Sequence, residues 1–134
     1  MIYLCQPYSH SDPQIMQSRF VFGAGAAAAI FSTGVDVYSP IVHWHWIAEH
    51  FDLPTDAAHW RAHNLHVVEQ CEAVYCLLLL GWQHSVGMRG EVEHAVLKGK
   101  PLFTVNLLAF PHDPALNKFS IPTLRTAPVQ DTFS

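Results

Sequence analysis

The sequence predicts one α/β domain: an open parallel sheet of four or five strands with helices on both faces. Two observations carry this. Short apolar runs alternate with helix-length segments, and the runs end in turn-rich loops. One run, Ala73–Leu80, is apolar almost without interruption, as a central parallel strand covered on both faces must be. A length of 134 residues suits a single core, so 1–134 reads as one domain.

The elements follow in order. Ile2–Cys5 opens the chain as a strand and runs into Gln6-Pro7-Tyr8-Ser9-His10-Ser11-Asp12-Pro13, a loop holding an N-cap (Ser11 or Asp12) and a proline at the first helical position. The helix that follows spans about Pro13 to Ser32 and stops at Gly34. Its middle, Gly23–Ala29, is built of small residues, a surface for close approach of the sheet or of a second subunit. Val35–Tyr38 is a second strand ended by Ser39-Pro40, and Ile41–Asp52 reads as a loop with a short helix. Thr55 or Asp56 caps a helix running to about Cys71. After Ala73–Leu80 come a loop, Gly81–Gly87, a helix, Met88–Lys98, and a fourth strand, Pro101–Asn106. Ile121–Arg125 is an edge-strand candidate within a tail, residues 118–134, whose end reads as mobile. This order is Rossmann- or flavodoxin-like, with right-handed crossovers. Ligands in such sheets sit at the carboxyl ends of the strands. Three loops meet there: Gln6–Asp12, Ser39–His45 and Gly81–Gly87.

Composition narrows the function. A net charge of −4 argues against a nucleic acid polymer as partner, because a phosphate backbone selects a Lys/Arg surplus. Cys5, Cys71 and Cys76 lack C-x-x-C spacing and read as reduced, buried thiols of a cytoplasmic protein. No secretory signal pattern opens the chain, and the run Phe20–Val35 is shorter than the roughly 20 residues of a membrane span. No membrane is expected as a partner.

The chemistry concentrates in Gly81-Trp82-Gln83-His84-Ser85-Val86-Gly87-Met88-Arg89-Gly90-Glu91. This stretch leaves the most buried strand and enters a helix, so Ser85 is placed to cap and the N–H groups near Gly87 point into the rim as an anion site. Met88, Val92, Ala95 and Val96 form an apolar stripe, and Glu91 lies beside it, half-desolvated while still reaching the rim. A carboxylate there suits a nucleophile or a general base. From position alone, a solvent-facing helix Glu is the simpler reading.

Ser85-x-Gly87-x-x-x-Glu91 after a strand resembles the nucleoside 2-deoxyribosyltransferase superfamily, which includes deoxynucleoside 5′-monophosphate N-glycosidases. The likeness is greatest to a small bacterial and phage branch sharing Pro7-Tyr8-Ser9-His10, Arg19-Phe20, Ser39-Pro40 and Gly81-Trp82-x-x-Ser85, over about residues 2–105. The resemblance implies that Glu91 attacks the sugar C1′, that Ser85 and Gly87 hold the 5′ end, and that Tyr3 is an active-site tyrosine. It makes Tyr8, Ser9 and His10 a second phosphate- or sugar-facing loop. A substrate-contacting Asp of the family aligns with Asn64, which cannot act as an acid. Asp56, His43, His45 or His84 would then serve the leaving base.

Ten histidines raise a metal hypothesis. His59 and His63 share a helical face at i, i+4, as do His45 and Glu49. Against it, Glu49-His50 reverses the order of the H-E-x-x-H signature. Neither metal nor cofactor is expected. Trp44, Trp46 and Trp60 read as core or interface packing, with nucleobase stacking as a second role. The reading is an N-glycosidase of nucleotides or nucleosides, with a deoxyribosyltransferase or a non-catalytic nucleotide sensor as alternatives. Its partners are a small-molecule nucleotide or nucleoside and further copies of itself, a dimer or higher oligomer.

Overall fold

The computed structural model describes residues 1–129, built as a five-stranded sheet with helices on both faces. In chain order the elements are β1 (Ile2–Cys5), α1 (Pro13–Ser32), β2 (Val37–Tyr38), α2 (Pro40–His50), α3 (Ala57–Gln70) and β3 (Ala73–Leu77). A single 3-10 turn, Trp82–His84, precedes α4 (Val86–Leu97). β4 (Leu102–Ala109), β5 (His112–Asp113), β6 (Lys118–Phe119) and β7 (Thr123–Pro128) complete the fold. The sheet order is β2-β1-β3-β4-β7, flavodoxin-like, with β5 and β6 paired as a separate hairpin. The first four strands are parallel and β7 is antiparallel to β4, so the sheet is mostly rather than wholly parallel.

Side-chain alternation divides the core into two layers. Tyr3, Cys5, Val74 and Cys76 face one side and join Val68 of α3 with Met88, Val92 and Ala95 of α4. Leu4, Leu77 and Val105 face the other and meet Ala26 and Ile30 of α1. The small residues of α1 serve contacts within the chain. A Cβ on Gly23 would collide with the Gln6 side chain, and one on Gly25 with the Phe110 ring. By length and mean hydropathy (1.2), α1 alone among the described helices could cross a membrane, yet its Gly23, Gly25, Ala26, Ala29 and Ile30 are buried in the fold.

Four expectations need correction. Ile41–Asp52 is mostly one 11-residue helix, α2, because Ser39 caps it by accepting from the Val42 N–H and Pro40 preorganises its first turn. β3 ends at Leu77, and Leu80 is 96% exposed. Apolar composition extended the predicted strand past the point where the ladder stops. α4 starts at Val86, two residues early, because Ser85 accepts from the Met88 N–H. The edge strand expected at Ile121–Arg125 is present as β7 against β4, but lies two to three residues later, at Thr123–Pro128. The final residues, 130–134, lie outside the described residues.

Candidate functional site

β1 and β3 are neighbours whose connections leave toward β2 and β4 respectively, so the crevice between their carboxyl ends is the switch point of the sheet. A cleft of about 190 Å³ opens there. Its floor and one wall are Gln6, Tyr8 and Ser9 after β1, with Ser85, Gly87, Met88 and Glu91 after β3. The opposite wall comes from α2 and α3, with Trp44, His45, Trp60 and Asn64.

Glu91 lies one turn into α4, in phase with Met88, Val92 and Ala95, at the helical steps 88, 91, 92 and 95. The buried stripe therefore includes Glu91, whereas Val96, expected within it, is exposed. Glu91 is more deeply placed than a border position implies, at 7% exposed. Two donors converge on its Oε1: the Tyr3 hydroxyl at 2.7 Å and the Asn64 amide at 3.2 Å. Burial raises its pKa from 4.5 to about 7, while the hydrogen bonds from Tyr3 and Asn64 and the Cys5 thiol oppose that rise. Burial and the adjacent carboxylate push the Tyr3 phenol well above its ordinary range, so Tyr3 stays protonated and donates. A carboxyl group near 7 at the bottom of a cleft is matched to work as nucleophile or base at neutral pH.

Ser85, the N-cap of α4, and Gly87 in its first turn, the residues expected to hold an anion, both lie on the cleft. Ser9 also lines the cleft, but its hydroxyl donates to the Thr55 carbonyl at 2.7 Å and so pins the loop after β1 to the lead-in of α3. His10 is outside the lining; its Nδ1 accepts from the Asp12 N–H. Tyr8 lines the cleft and meets His45 Nδ1 across 2.7 Å.

Of the four substitutes for the missing acid, the structure brings two to the cleft: His45 and His84. Asp56 is an exposed N-cap accepting from His59 N–H, so its carboxylate serves the helix start. His43 projects from α2 against Tyr38 and Trp44, outside the lining. Among the described residues no His/Cys/Asp/Glu cluster is arranged to hold a metal ion. Trp44 and Trp60 lie 5.2 Å apart on the cleft wall, and His63 meets both edge-on. All three cysteines are free and buried.

Sequence reading missed Arg19 as a structural clip. Its guanidinium donates to the carbonyls of Tyr8, Ser9 and Leu80, each at 3.2 Å. The signal was present: Arg19 occupies the same helical phase as Gly23, Ala26 and Ile30, so a cation stands in an otherwise buried stripe. Gly81, at φ 90°, turns the chain beside it where a Cβ would come within 2.8 Å of Arg19 Nη2.

The fold and cleft together define a small α/β domain with a buried carboxylate at its switch point. Residues 1–107 match the family described as a domain of unknown function (DUF1937), and the chain belongs to that family. No curated protein matches it.

Proposed function

We propose that this protein is an N-glycosidase that cleaves the base–sugar bond of (deoxy)nucleoside 5′-monophosphates or nucleosides, with Glu91 as nucleophile. The observation that carries this reading is the environment of Glu91: a carboxyl group brought to about 7 by burial, on a cleft, with the Tyr3 and Asn64 hydrogen bonds on Oε1. Cleavage develops positive charge on the sugar, which a carboxylate beneath C1′ stabilises or captures as a glycosyl ester. The resemblance to the nucleoside 2-deoxyribosyltransferase superfamily supports the same assignment and needs neither metal nor cofactor. Trp44 and Trp60 offer an aromatic wall for the base, and the start of α4 offers N–H donors for a 5′-phosphate.

One observation favours a second reading, a nucleotide-binding module without turnover: Asn64 beside Glu91 can donate a hydrogen bond but no proton. The deciding experiment incubates the protein with a panel of nucleosides and 5′-monophosphates and follows free base by chromatography. Base released in water supports the hydrolase, and base exchange alone supports a transferase. Tight binding without release supports the sensor. We also infer a cytoplasmic homo-oligomer, consistent with exposed Phe31, Phe51 and Leu97 and checked by light scattering.

A further inference from the structure

Tyr3 keeps its proton on Glu91 and Asn64 has none to give, so neither hydrogen-bond partner of Glu91 Oε1 is an acid for the leaving base. A better-placed donor lies elsewhere on the cleft. Tyr8 reaches the cleft from the loop after β1, and 2.7 Å behind its hydroxyl lies His45 Nδ1. The imidazole is buried, stacked on the Phe20 ring with centroids 4.4 Å apart. Its far nitrogen, Nε2, is 2.8 Å from Gln17 Oε1 and 3.5 Å from Glu49 Oε2. Two acceptors at Nε2 fix the proton there in the neutral ring, leaving Nδ1 to accept from Tyr8. Three elements thus converge to orient one imidazole behind one phenol, an arrangement that packing alone does not need.

Resting on the glycosidase reading above, we propose that Tyr8 is the catalytic acid and base of this site, with His45 as the positioning residue that stores its proton. In the loaded form His45 is an imidazolium; burial pulls its pKa down, as does His50, and the Glu49 carboxylate opposes that pull. As Glu91 bonds to C1′ and the C1′–N electron pair withdraws onto the base, Tyr8 gives its proton to the base and is refilled from Nδ1. This leaves a glycosyl ester on Glu91 and a neutral imidazole. Water then attacks C1′, its proton passes to Tyr8, the Tyr8 proton returns to Nδ1, and Glu91 leaves as carboxylate. One group serves both halves, as in retaining glycosidases.

The test compares an ordinary purine nucleoside 5′-monophosphate with its N7-methylated form, whose base departs without taking a proton. Single-turnover base release is followed for wild type, Tyr8→Phe and His45→Gln. Both variants should slow the ordinary substrate by about a hundredfold, the scale of general acid catalysis. Both should cleave the methylated substrate within about threefold of wild type, the spread expected when that contribution is absent. Azide, which needs no base, should restore turnover of the methylated substrate by Tyr8→Phe. Equal losses on both substrates overturn the proposal, since they mark a structural or binding role. So does a loss selective for the ordinary substrate in His84→Gln and absent from Tyr8→Phe. A wild-type protein that releases base from neither substrate removes the glycosidase reading and this inference with it.

Discussion

The hydroxyl of Tyr3, on the first strand, donates to Oε1 of Glu91, on the last helix of the parallel unit, across 2.7 Å and 88 residues of chain. The bond holds one carboxylate oxygen in the core and fixes the rotation of the other. It also opposes the upward pull of burial on the Glu91 pKa. Tyr3→Phe should therefore raise the Glu91 pKa further above 7. The acidic limb of the kcat/KM profile, set by ionisation of Glu91, should move to higher pH, with activity at high pH less affected. A limb that does not move would separate Glu91 from the observed titration.

Glu91→Gln should fold, bind nucleotide and lose about three orders of magnitude in rate, roughly 4 kcal/mol of barrier. Glu93→Gln is the control, because Glu93 is exposed on the opposite side of α4 and should change little. Near-wild-type turnover by Glu91→Gln ends the assignment.

The same substitution should stabilise the fold in alkaline solution. Between 4.5 and about 7 the unfolded chain has released a proton that the folded protein keeps on Glu91, so stability falls as pH rises through that window. At about 1.4 kcal/mol per pH unit, the loss is on the order of 3 kcal/mol. Glu91→Gln does not ionise and escapes it. Urea denaturation should show the variant more stable than wild type near pH 8, the difference shrinking near pH 4. Equal stability at both values would mean that Glu91 is not desolvated.

Ser85 and the N–H groups near Gly87 should favour 5′-monophosphates over nucleosides, with inorganic phosphate as competitor. Charge-assisted bonds contribute about 1.5–3 kcal/mol each, so Ser85→Ala should reduce the preference at least about tenfold. The lost cap will also cost about 1 kcal/mol of stability, which thermal melting measures separately. Equal kcat/KM for a nucleoside and its monophosphate would assign Ser85 to a 5′-hydroxyl.

A glycosyl intermediate on Glu91 predicts retention at the anomeric carbon. Methanol added during turnover should be captured as a methyl glycoside of unchanged configuration, read by NMR. An inverted product would make Glu91 a base that activates water.

Much of this architecture was legible in the residues because it rests on local rules. Asp12 and Pro13, Asp56, and Ser85 each mark a helix start by chemistry that needs no tertiary context. What escaped depended on neighbours. Composition says Leu78 to Leu80 extend a strand, but after Leu78, whose N–H still donates to the Val105 carbonyl, the Leu79 N–H turns back to Leu77 and the ladder stops. α2 looked like a loop because its histidines and tryptophans show no clean apolar stripe; it buries Pro40, His45 and Ala48 instead. Within the site, periodicity brought Glu91 to the edge of the core and the fold carried it inside. Of the nitrogen partners of His45, spacing announces only Glu49, one turn on in the same helix; Tyr8 and Gln17 come from other elements that only the fold brings near.

Arg19 ties both loops of the switch-point crevice to one guanidinium, through the carbonyls of Tyr8, Ser9 and Leu80. Those two loops cannot part without surrendering several hydrogen bonds at once, so they act as a single rigid jaw. The facing wall, with Trp44 on α2 and Trp60 on α3, is fastened to that jaw through the Ser9–Thr55 and Tyr8–His45 hydrogen bonds, so any closure over a ligand must pivot about these bonds or break them.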